Sequence, residues 1–180
     1  MRQIILYLII FALAFVSCNE NKVKPTVDNL IINGEYPSQE SWDSKILFSE
    51  EGKIKAVLYA DHLTKYDNTQ ESYLEGVKIL FYNEEGVNTS VLTSDSGKVN
   101  DLTKNMYAIN NVVAISDSGD TLTSDELLWV NKEKKIKTEK FVTIKSEAET
   151  IQGYGFESDQ HLNNYVIYKI TYVTTNNGKN

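Results

Sequence analysis

An internal repeat is the feature of this 180-residue chain that most limits how it can fold. The unit is clearest between Val112 and Asn131: a β-branched apolar run, a tight corner at Asp117 to Asp120 containing Gly119, then a second run with a Ser-Asp pair ahead of Leu127-Leu-Trp-Val130. The same order of parts recurs upstream from Val77 through Glu84-Glu-Gly86 to Asp95, and downstream from Phe141 to Asp159. A degenerate first copy runs from Ile46 through Glu50-Glu-Gly52 to Asp61. The marker residues Asp61, Asp95, Asp125 and Asp159 lie 34, 30 and 34 residues apart. A recurrence of this length marks a stacked supersecondary unit that cannot bury its apolar face alone.

Local chemistry makes that unit a pair of strands. Isoleucine, valine, threonine, tyrosine and phenylalanine gather in runs of four to eight, separated by Asn, Asp, Gly and Ser clusters. Corners such as Glu84-Glu-Gly86 and Asp117-Ser-Gly-Asp120 supply residues tolerant of positive φ. Strands are expected near 46–49, 54–66, 71–82, 88–100, 105–116, 120–130, 134–145, 150–157 and 164–174. The implied fold class is all-β: one elongated, twisted body built of repeated two-strand units.

The N-terminus reads differently. Arg2 precedes the charge-free run Ile4 to Val16, 13 residues long, which then meets Ser17-Cys18-Asn19. A spanning helix needs about 20 apolar residues, so this run suits the core of a signal peptide over residues 1–17. The cysteine, the only one in the chain, stands where a lipoprotein signal is cleaved, so Cys18 is the expected site of lipid attachment and of anchorage to a membrane. Residues 18–45 read as a polar tether, with a short strand at Leu30 to Ile32 as one option; residues 46–174 form the β domain and 175–180 a frayed tail.

Charge and motifs exclude several classes. The chain carries a formal charge of -7, and -8 without the segment holding Arg2, which gives no electrostatic footprint for nucleic acid. His62 and His161 stand 99 residues apart and outside any metal-ligand spacing. There is no Gly-x-Ser-x-Gly and no phosphate-binding glycine loop. No catalytic residue, metal or cofactor is expected.

The repeated scheme of apolar strand, Gly corner, Ala/Ser-Asp and Asn/Asp corner, as in Ala60-Asp61, Tyr66-Asp67 and Leu74-Glu-Gly-Val77, resembles the OstA-like repeats of lipopolysaccharide-transport proteins. With a lipidated N-terminus on one short domain, the chain is most similar to the LptC family in its Bacteroidetes-like lipoprotein form. The resemblance covers about residues 46–173. It implies a half-open β-jellyroll that holds the acyl chains of lipopolysaccharide, accepts them from an inner-membrane ABC transporter of the LptBFG type, and hands them to an LptA-type periplasmic bridge. It also implies the periplasmic face of the cell envelope, with the anchor in the inner membrane.

Alternation along the strands nominates Val77, Ile79, Phe81, Val113, Ile115, Leu127, Trp129, Val142, Ile144 and Phe156 as an inward apolar lining for those chains. The terminal strand Tyr165 to Val173 has strong β propensity and only Lys169 to disarm it. Val166, Ile167, Tyr168 and Ile170 are therefore candidates for docking a partner by β-strand addition. A membrane-tethered carbohydrate-binding or adhesin-like β module is the alternative, since it too would be acidic and rich in tyrosine and tryptophan.

Overall fold

The structure, a computed structural model, describes residues 36–66 and 69–175. The expected signal segment, Cys18, the option of a strand at Leu30 to Ile32 and the tail 176–180 lie outside the described residues. Among the described residues, nine antiparallel strands form one sheet in strictly sequential order: β1 (Gln39–Glu50), β2 (Lys53–Tyr66), β3 (Glu71–Tyr82), β4 (Asn88–Asn100), β5 (Met106–Ser116), β6 (Thr121–Val130), β7 (Lys135–Lys145), β8 (Glu149–Asp159) and β9 (Tyr165–Thr175). Each strand pairs only with its neighbours in sequence, and β1 and β9 do not meet. The sheet is open rather than a closed barrel.

What turns this ribbon into a body is a line of bends crossing it at mid-strand. In β3, Ser72 and Leu74 face inward before Gly76, and Val77, Ile79 and Phe81 face inward after it. One extra residue at φ +62° shifts the pleat by one position. The ladders break at the same level between Thr93 and Ser96, Ile109 and Val112, Ser124 and Leu128, and Thr138 and Phe141. Left-handed backbone at Asp43, Asn110, Asn111 and Gly155 continues the line. Asp61, Asp95 and Asp125 all lie on it, which is the physical content of the repeat. Asp61 lies across Gly76, where an added Cβ would sit 2.0 Å from its Oδ2. Asp95 accepts a 2.6 Å hydrogen bond from Asn111 Nδ2 across the bend. Asp159 is different: it ends β8 and accepts the backbone N–H groups of His161, Asn163 and Asn164.

Along this line the sheet folds back on itself into two layers. Phe48 and Phe81, from one set of half-strands, meet Trp129 from the other, with ring centroids 5.7 and 5.4 Å apart. Glu50 at the end of β1 reaches Lys134 in the β6–β7 turn at 3.5 Å. The β8–β9 turn closes onto β4, where Ser90 Oγ donates to the Gln160 carbonyl at 2.7 Å. A single core cluster runs between the layers from Ala56 in β2 to Phe156 in β8.

β1 begins at Gln39, earlier than the expected start at Ile46. Its first half is polar and shows no apolar alternation, yet it pairs in register with β2 from Gln39 opposite Lys65 to Trp42 opposite His62. Residues 39–45 are thus strand and not tether.

Candidate functional site

The interior surface is the first candidate. Val77, Ile79, Phe81, Leu127, Trp129, Val142, Ile144 and Phe156 all lie buried in the core cluster, as their alternation predicts. Val113 and Ile115 do not. In β5 the bend takes up two left-handed residues, Asn110 and Asn111, so the pleat keeps its parity. Val112, Ala114 and Ser116 are then buried, while Ile115 is exposed and Val113 lines an outer groove beside Thr123 and Phe141. The run Val112-Val-Ala-Ile115 is apolar on both faces, and its bulkier alternate pair, Val113 and Ile115, faces out while the smaller Ala114 and Ser116 face in. Inward positions in β2, β4 and β7, among them Leu58, Leu92 and Ile136, complete the lining; they were legible as apolar but not assigned a direction.

Between the two layers, the interior of the expected half-open jellyroll is packed with the chain's own side chains. Trp129 is only 2% exposed, edge-on to both Phe48 and Phe81. An apolar gap of only about 10 Å³ remains among Leu122, Ile144, Phe156, Leu162 and Tyr165. Small hydroxyl side chains, including Ser90, Ser116 and Ser158, are interspersed in the lining, and the Ser158 hydroxyl and the Trp129 indole N–H have no hydrogen-bond partner among the described residues.

At one mouth the interior does open. A cavity of about 370 Å³ lies between the end of β1 and the β4–β5 and β6–β7 turns, with Ile46, Phe48 and Val99 as apolar wall and Lys55, Lys104 and Lys134 among its polar lining. Lys55 is committed to Glu84, whose carboxyl is held below the usual carboxylate range by Lys55 first and Lys53 second. Asp101 in turn is paired with Lys65 at 3.0 Å and accepts from Ser72.

The two edges of the sheet are the second candidate. In β9, Val166, Tyr168 and Ile170 are exposed, whereas Ile167 turns toward the core and packs against it with Tyr165. Tyr168 donates its hydroxyl to Glu157, whose carboxyl is held below its ordinary range chiefly by Lys135. The outer margin of β9 has no strand beside it among the described residues.

Each histidine joins separate parts of the sheet. His62 stacks on Trp42 at 5.1 Å and lies 3.0 Å from Glu40, fastening β1 to β2. His161 hydrogen-bonds to Thr89 and fastens the β8–β9 turn. The two residues occupy separate places, and each has a structural partner.

No curated protein matches the sequence. Among solved structures, the chain is similar to LptH of Pseudomonas aeruginosa, the LptA-homologous periplasmic component of its lipopolysaccharide transport device. That similarity stands at 12% identity and a TM-score of 0.29, and covers 73% of this chain and 81% of that one. The family model described as lipopolysaccharide-assembly, LptC-related, matches residues 5–174, almost the whole sequence, and the chain therefore belongs to that family.

Proposed function

We propose that this protein is a lipopolysaccharide carrier, accepting lipid from an inner-membrane ABC transporter of the LptBFG type and passing it to an LptA-type bridge along its apolar interior. The observation that carries this reading is a continuous apolar lining enclosed by a sheet whose two end strands each have no further strand beside them among the described residues. A neighbour adding a strand at such a margin extends the sheet, and with it the lining. Acyl chains enter as the two layers part, each buried methylene contributing about 0.8 kcal/mol against the contacts it displaces. That exchange keeps net affinity low enough for release, so the transporter's ATP hydrolysis supplies direction. Cys18 carries the lipid anchor that holds the body at the periplasmic face of the inner membrane.

A photoreactive analogue placed at Phe81 or Trp129 of the full chain in membranes tests the route. Crosslinks to lipopolysaccharide from these inward sites, and none from the outward Ile115, are expected. Label arising only from Ile115 would instead favour a surface-binding module. For the edge, Ile170→Pro with an unchanged melting temperature is expected to abolish capture of the bridge protein; undiminished capture rejects strand addition at β9. Cys18→Ser should move the protein from the membrane to the soluble fraction.

A further inference from the structure

We infer that the mouth between β1 and the β6–β7 turn is a binding site for an anionic amphiphile, reading a phosphate-bearing head group at Lys104 and Lys134 while the chain behind it enters over Phe48 and Val99. The inference rests on the carrier reading for its biological ligand, but the site is defined by its own chemistry.

Three features of the mouth point the same way. Its volume, about 370 Å³, lies in the range of small-ligand sites, and its lining includes both apolar and charged side chains. The apolar part is continuous with the interior, because Phe48 packs against the core cluster and meets Trp129 edge-on. The charged part holds a cation in excess. Lys55 is neutralised by Glu84 and Asp101 by Lys65, and Glu50 is reached by Lys134. Lys104 has no carboxylate partner among the described residues. Its turn is fixed in place, with left-handed backbone at φ 59° and an N–H donated to the Asn100 carbonyl at 2.9 Å. On a chain of charge -7, an unpaired ammonium beside an apolar opening stands out.

Lys134 adds a second, exchangeable charge. Its pairing with Glu50 spans 3.5 Å between partly exposed groups, a weak contact that an incoming phosphate can replace. The same ammonium lies 5.7 Å from the centre of the Trp129 ring, whose indole N–H is buried and has no acceptor. The site thus combines cations for an anion with apolar side chains that continue into the core. A neutral amphiphile would use only the apolar wall.

Trp129 is also the reporter. With Trp42→Phe in the full-length chain, it becomes the sole tryptophan, and its emission is followed on titration with decyl phosphate, decanol and inorganic phosphate. Decyl phosphate is expected to shift the emission at concentrations at least tenfold below those decanol needs, and inorganic phosphate alone should have no effect. Lys104→Glu, at an exposed side chain that holds nothing in place, is expected to weaken decyl phosphate at least fivefold and leave decanol unchanged; Lys134→Gln should weaken it less. Equal responses to decyl phosphate and decanol, equal action of inorganic phosphate, or indifference to both lysine substitutions would overturn the site. Failure of lipopolysaccharide to crosslink at Phe81, with these titrations intact, would remove the carrier reading and leave the site standing.

Discussion

The two margins of the sheet are built in opposite ways. β1 is fastened by side chains: Trp42 stacks on His62, Glu40 pairs with the same ring, Glu50 reaches Lys134, and Phe48 is inserted beside Trp129. β9 is fastened mainly by its backbone. Most of its side chains are exposed, and only Tyr165 and Ile167 pack inward. The strand beneath it is cut away to allow close approach: a Cβ on Gly153 would stand 2.4 Å from the Lys169 carbonyl oxygen. Charge differs too, since β1 carries three acids and one lysine whereas β9 carries only Lys169. One margin is locked to its own body by side chains, and the other is held chiefly by its backbone ladder.

The difference can be broken most forcefully at Phe48. Phe48→Ala should cost about 3 kcal/mol in urea unfolding, through loss of the wedge against Trp129, whereas Ile167→Ala at the other margin should cost only about 1 kcal/mol because that site is half open. Similar losses at both would show that the margins are alike. Next in size, Gly153→Val should cost about 2 kcal/mol by forcing β9 away from β8, read as faster hydrogen exchange in Tyr165 to Thr175 with β1 unchanged. His62→Ala should follow at about 1 kcal/mol, loosening Gln39 to Trp42 and leaving β9 as it was. The smallest effect belongs to neither margin and so serves as a control. The Glu71 hydrogen bond raises the Lys98 pKa, so this pair contributes stability that is fully present below the ordinary lysine range and is lost as pH rises through the raised value. Comparing wild type with Lys98→Met across alkaline pH should show a difference below about 1 kcal/mol that closes at the top of the range.

Sequence carried the strands because their ends are written in turn chemistry. Asn83 to Gly86 and Asp117 to Asp120 place their corners through side-chain acceptors and left-handed glycines, and the strands between them fall within a residue or two of the expected bounds. The polar half of β1 was illegible for the complementary reason. Nothing in Gln39 to Lys45 announces a strand, which exists because β2 offers it a register. Within the interior, the inward residues on either side of a bend depend on whether one or two extra residues occupy it. Gly76 advertises a single one, and the two at Asn110 and Asn111 cancel; Val113 and Ile115 were assigned to the wrong face because the run Val112 to Ile115 is apolar on both sides and they are its bulkier members. The mouth was hidden because it joins β1 to turns more than 50 residues away in the chain.

Because the bends of β3 to β7 fall at one level, each hairpin there is a complete slice of the body, with its own share of both layers and of the core between them. Adding or deleting one would change the span by roughly 10 Å, two inter-strand spacings, without redrawing the cross-section. Reach and calibre are thus set by separate residues: the number of hairpins governs one and the bend the other.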